Sequence, residues 1–144
     1  MVMVADVNES VRVGHERLRD AATQGALVKL CHRHDLDLLV VFGSVLDPGA
    51  DPRDLDVAVR FGPGDHAHAT LKLIDDLYRL TGSERIDLMV LNRAGPLARE
   101  RALTTGEPLF QRQPGVFANA QIAAIMQRLD TDRFRAMDLE LMSS

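Results

Sequence analysis

The 144-residue chain has one cysteine, one tyrosine, five phenylalanines and no tryptophan, and each scarcity excludes something. A single thiol, Cys31, cannot build an intramolecular disulfide framework and fits a reducing compartment. So few aromatics give little platform for stacking bases. With Lys+Arg 17 against Asp+Glu 21, the net charge of −4 provides no field for gathering phosphate backbones, so nucleic acid is not the expected partner. Long hydrophobic runs are absent too. The stretch from Leu38 to Phe42 falls far short of the ~20 residues that span a bilayer. Met1 to Asp6 lacks the basic segment and apolar run of a secretory signal. A cytoplasmic protein with no membrane partner is expected.

What is present is an ordinary globular composition, 46% hydrophobic and 26% charged, with no repeat, low-complexity tract or long linker. A chain of this size buries roughly two thirds of the surface its unfolded form exposes, so one domain over 1–144 is expected, with its core at about 36–129. Ser10 predicts the start of a helix running to about His34, with Val11, Leu18, Ala21, Ala22, Val28 and Cys31 on its apolar side. Gly25 is placed to divide it. Leu36 to Phe42 reads as a buried strand ended by Gly43, and Leu55 to Phe61 as a second. His68 to Leu80 carries Leu71, Ile74, Leu77 and Tyr78 at helical spacing and closes at Gly82. Arg85 to Leu91 is a third strand, Pro96 opens a helix ending at Gly106, and Pro108 to Gln111 is a short edge strand. A last helix spans about Val116 to Leu129, with Ile122, Ile125, Met126 and Leu129 as core. Beyond it Phe134, Met137 and Leu141 form a further apolar series. This alternation predicts an α/β (α+β) domain, a mixed sheet of about four strands packed with helices.

Chemistry concentrates at the strand ends. Gly43-Ser44 is followed after nine residues by Asp54-Leu55-Asp56. Residues two apart in a strand share a face, so Asp54 and Asp56 converge while Leu55, Val57 and Val59 enter the core. Like charges so placed repel unless a cation or proton lies between them, and oxygen ligands suit Mg²⁺. Gly43 lets a backbone approach a phosphate and Ser44 adds a hydroxyl. Asp87, between Ile86 and Leu88, is a third acid interrupting an apolar run, and all three are expected to face inward. Any of these motifs alone is more often a turn or a solvated strand edge; their combination is not. Asp35, Asp37, Asp75 and Asp76 sit in turn or solvated contexts and read as structural. The pairs His32-x-His34 and His66-x-His68 join no Cys or carboxylate set at zinc spacing. Cys31, on an apolar helix face, reads as buried filler.

Gly43-Ser44, nine residues, Asp54-x-Asp56 and then Asp87 resembles the active-site signature of the polymerase beta superfamily of nucleotidyltransferases. The short chain and its tail, Leu97-Ala98-Arg99-Glu100-Arg101-Ala102-Leu103 followed by Gly106-Glu107-Pro108-Leu109-Phe110, resemble the minimal (MNT) branch, the MntA-like antitoxins paired with HEPN toxins. The resemblance implies a nucleotidyltransferase fold and transfer of AMP from ATP, with release of diphosphate, to a tyrosine hydroxyl of the toxin. Asp54, Asp56 and Asp87 would bind two Mg²⁺ ions, Asp87 completing the second site or serving as base, and Gly43 and Ser44 would hold the nucleotide phosphates. At one point the chain departs from the family pattern. Val45-Leu46-Asp47-Pro48 stands where a basic residue usually follows the Gly-Ser, which leaves Arg53 or Arg60 to supply that charge. Two rival readings stay open: a binding module that neutralises its partner by contact, and a nucleotidyltransferase with another acceptor such as tRNA or an aminoglycoside.

Overall fold

In the computed structural model, which describes residues 4–143, a first helix α1 (Val4–Gln24) turns at Gly25 into α2 (Ala26–Arg33). Gly25 makes the break because its φ of +89° lies in the left-handed region that side chains disfavour. The helix thus begins well before Ser10, which is an exposed interior residue. Val7, one turn before the fully buried Val11, packs against the core and outweighs the capping preference of the serine. Val11, Leu18, Ala21 and Cys31 are buried as expected, whereas Val28 points to solvent. Met1 to Met3, part of the segment read for a secretory signal, lie outside the described residues.

Four strands follow: β1 (Leu36–Phe42), β2 (Leu55–Phe61), β3 (Ile86–Val90) and β4 (Glu107–Gln111). Their order across the sheet is β3-β2-β1-β4. β1 runs antiparallel to both β2 and β4, and β2 runs parallel to β3. The parallel pair requires a crossover, supplied by α3 (Ala69–Thr81). Pro108 sits on β4 at the sheet edge, where its missing N–H costs no ladder bond.

Helix α3 departs from the predicted face. Leu73, Leu77 and Thr81, at i, i+4 and i+8, are buried, while Leu71 is 81% exposed. The two faces of the sheet carry two apolar clusters. Leu39, Val41, Leu55, Val57 and Val59 meet α1, α2 and α3 on one side. Leu38, Val40 and Ala58 meet the last two helices on the other.

Those helices are α4 (Pro96–Thr105) and α5 (Val116–Ser143). α5 runs well past Leu129, and its buried residues are Ala120 and Ala124, not the large residues expected there. Small side chains at i and i+4 let α5 lie close to Ala102 and Leu103 of α4, which turns Ile122, Met126 and Leu129 outward. Gln121 donates to the Leu103 carbonyl at 2.8 Å, and Arg128 pairs with Glu100 at 2.9 Å, fixing the two helices together. Among the described residues no helix is long and apolar enough to cross a membrane.

Candidate active site

The site forms where β1 ends beside the start of β2. Gly43 leaves β1 with φ +84° and ψ −159°, a conformation open essentially to glycine alone, and the chain tightens into a 3-10 turn over Ser44–Leu46. Phe42 pairs with Asp56 across β1 and β2, so the residue after it comes to rest against the Asp56 carboxylate. A Cβ built on Gly43 would collide with Asp56 Oδ2. The loop after the turn is held from behind by Arg12 of α1. Its guanidinium donates to the carbonyls of Val45, Asp47 and Ala50, the last at 2.7 Å.

Asp56 is also opposite Asp87 in the parallel β2–β3 register, and Asp54 stands just before β2. Leu55, Val57 and Val59 are fully buried on the opposite face, as the alternation requires. The acids are not equally inward-facing. Asp56 is half-buried on a central strand, but Asp54, just before β2, and Asp87, on the edge strand β3, are exposed. Burial pushes the Asp56 carboxyl up to about 6, and the negative charges of Asp87 and Asp54, with a hydrogen bond to Asp87, add to the shift. Arg101 pulls the other way. A carboxyl–carboxyl hydrogen bond needs a proton, so the pair is arranged to share positive charge, either a proton or a cation.

Gly43, Ser44 and Asp56 open onto a cavity of about 700 Å³, within the range of small-molecule sites. Met89, Pro96 and Leu97 give it an apolar wall, and Arg101, Arg128 and Arg135 a basic one. The expected substitutes, Arg53 and Arg60, do not line it. Arg53 is exposed in the loop, and Arg60 lies four residues along β2 from Asp56, roughly 13 Å at strand rise, where it pairs with Asp37 at 3.8 Å.

A family profile for "Polymerase beta, Nucleotidyltransferase" matches residues 26–115. The chain belongs to this nucleotidyltransferase family. The matched segment runs from α2 through β4 and includes Gly43, Ser44, Asp54, Asp56 and Asp87. Its fold is shared with solved toxin–antitoxin structures. One is a mutant MntA-HpeT complex, with TM-score 0.60 and 21% identity over 81% of this chain and 97% of that one. A second is a tri-AMPylated Shewanella oneidensis HEPN toxin in complex with an MNT antitoxin, with TM-score 0.59 and 21% identity over 85% and 98%. A third is a toxin–antitoxin structure with AMP-PNP, with TM-score 0.60 and 22% identity over 80% and 95%. At these identities the likeness establishes the nucleotidyltransferase fold. No curated protein sequence matches significantly.

The donor set fits the divalent cation that the family implies. Among the described residues no three His, Cys, Asp or Glu side chains are already drawn together as a metal cage. An adjoining carboxylate pair, Asp56 and Asp87, with Asp54 close enough to raise the Asp56 pKa, nonetheless suits Mg²⁺, which takes one or two carboxylates and completes its shell with water and substrate phosphates. Cys31 takes no part. It is fully buried, and burial pushes its thiol up to about 12.

Sequence reasoning missed Arg12, Arg101, Arg128 and Arg135. A signal existed for the last two: Arg128, Thr131, Asp132 and Arg135 follow i, i+3, i+4, i+7 spacing, one face of a helix, and all four line the cavity.

Proposed function

We propose that the chain is a cytoplasmic, Mg²⁺-dependent nucleotidyltransferase that moves AMP from ATP to a tyrosine hydroxyl of a HEPN-type toxin and thereby acts as its antitoxin. The observation that carries this reading is the packing of Gly43 against Asp56, opposite Asp87, at the mouth of a nucleotide-sized cavity. Support comes from the solved structures of the same fold, one with a tri-AMPylated HEPN toxin and another with AMP-PNP.

Asp54, Asp56 and Asp87 would hold Mg²⁺, which when bound neutralises phosphate charge and acidifies the acceptor hydroxyl. The chain's own groups do the rest. Gly43, bare of a side chain, lets the Asp56 carboxylate lie against the turn at the cavity, where the Gly43 backbone and the exposed Ser44 hydroxyl meet the nucleotide phosphates. Asp87, exposed at the start of β3, takes the proton of the acceptor hydroxyl as the new oxygen–phosphorus bond forms at the α-phosphate and the bond to diphosphate breaks. Catalysis of this kind is mainly positioning and electrostatics, and Arg12, by holding the carbonyls of Val45, Asp47 and Ala50, fixes the loop that follows the phosphate-binding turn.

A second reading is favoured by α5. Ile122, Met126 and Leu129 are 57%, 61% and 61% exposed on one side of a long helix, a surface suited to docking a helical partner. Contact alone would then neutralise the toxin. The Asp54→Ala/Asp56→Ala double variant separates the two. Loss of labelled AMP transfer together with loss of protection supports the enzyme, and protection without transfer supports the contact reading.

A further inference from the structure

We infer that Arg101 and Arg135 grip the polyphosphate of the bound nucleotide, α4 and the outer half of α5 supplying the cationic groups that the Gly43-Ser44 turn lacks. The inference rests on the nucleotidyltransferase reading and deepens it by naming the groups that select an anionic ligand.

Most of the arginines around the site are already committed to partners within the chain. Residues 45–52 contain no Lys or Arg, so the loop after Ser44 brings no cation of its own. Arg12 is committed to three loop carbonyls. Arg99 donates to the carbonyls of Leu91 and Ala94 and to Gln127. Of the three arginines that line the cavity, Arg128 is neutralised by Glu100 at 2.9 Å and Asp132 at 3.4 Å. Arg101 and Arg135 remain. Among the described residues neither guanidinium has a hydrogen-bond or ion-pair partner, although both belong to a chain with more acids than bases.

Their placement makes that freedom meaningful. Arg101 is near enough to Asp56 to favour its ionised form. Arg135 lies two turns beyond Arg128 on the same face of α5, and Met89, Pro96 and Leu97 form the apolar wall of the cavity they share. A guanidinium beside an apolar wall binds an anion more strongly than one in open water, and its planar fork matches phosphate oxygens in pairs. The Asp56 carboxylate on one side of the cavity, with Asp87 opposite it on the next strand, and two uncommitted arginines on another side describe a metal-bound ligand carrying several linked negative charges. A polyphosphate has that character. Adenosine does not.

The test is calorimetric titration of the full chain with ATP, tripolyphosphate and adenosine, with Mg²⁺ and with EDTA. Arg101→Gln and Arg135→Gln should each weaken ATP and tripolyphosphate by about tenfold or more, the loss expected for one charge-assisted hydrogen bond, with adenosine unchanged. Lys at either position should recover part of the loss, and Arg60→Gln, paired to Asp37 at the far end of β2, should bind as the parent does. Glutamine variants that bind ATP within twofold of the parent overturn the inference, as does a parallel fall in adenosine affinity, which would mean the arginines only shape the cavity. A parent chain that binds tripolyphosphate through these arginines but not ATP keeps the inference and removes the nucleotide reading. One that binds neither removes both.

Discussion

Gly43 and Asp56 meet across β1 and β2 with no space between them for a Cβ, and Gly43 also holds a backbone conformation that other residues avoid. Gly43→Ala therefore carries two penalties at one position, a backbone strain of about 1–3 kcal/mol and a displaced carboxylate. The expected result is a lower melting temperature together with a loss of AMP transfer of about a hundredfold, since small misplacements of reacting groups cost that much. Transfer at the parent rate would show that Asp56 need not sit against the turn.

The pKa of about 6 at Asp56 gives a second prediction. The folded chain holds a proton there that the unfolded chain releases near its ordinary carboxyl value of 3.8, so stability falls as pH rises from about 4 through about 6. Asp56→Asn removes that dependence. Without metal it should be more stable than the parent at pH 7 by about 1–2 kcal/mol, a figure reduced for solvent screening of a half-buried group. Added Mg²⁺ should stabilise the parent and leave the variant unmoved. Denaturant unfolding across pH 4–7, with and without metal, checks both.

His34 and Asp76 predict the opposite pH limb. The buried His34 ring meets Asp76 at 2.6 Å, tying the end of α2 to α3, and that hydrogen bond holds the Asp76 carboxyl below the usual range. A depressed carboxyl stabilises the fold above its unfolded value and loses that contribution as pH falls through its folded one. Asp76→Asn should cost about 1 kcal/mol at pH 7 and flatten the acid side of the stability curve. Chemical unfolding from pH 3 to 7 would contradict this if the two curves stayed parallel.

Leu103 and Leu129 should behave in opposite ways. Leu103 is 1% exposed between α4, α5 and the sheet, so Leu103→Ala should cost roughly 2–5 kcal/mol. Leu129→Ser changes an exposed residue and should leave stability within about 0.5 kcal/mol while weakening co-purification of a HEPN-type partner. Thermal melts and pull-down from co-expressing cells separate the two effects.

The sheet was legible because its signals are local. β-branched runs bounded by Gly43, Gly62 and Pro96 mark strands and helix starts wherever they occur, and the Gly43-Ser44 and Asp54-x-Asp56 spacing places two strand ends side by side. Burial on the helices was less so, because it depends on what each helix meets. Leu73 is buried and Leu71 exposed because of how α3 packs against α1 and β3, and Ala120 and Ala124 displace larger residues because α4 lies so near. The basic wall failed for the same reason. Arg101 and Arg135 are 34 positions apart in the chain and are brought to one cavity only by the packing of α4 and α5.

The most direct test of the central claim is mass spectrometry of a HEPN-type partner co-expressed with the chain. The account predicts AMP on a partner tyrosine with the parent chain and none with the Asp54→Ala/Asp56→Ala variant, which should still fold because both substitutions lie outside the buried core. An unmodified partner beside the parent chain supplied with ATP and Mg²⁺, or full modification by the double variant, would contradict it.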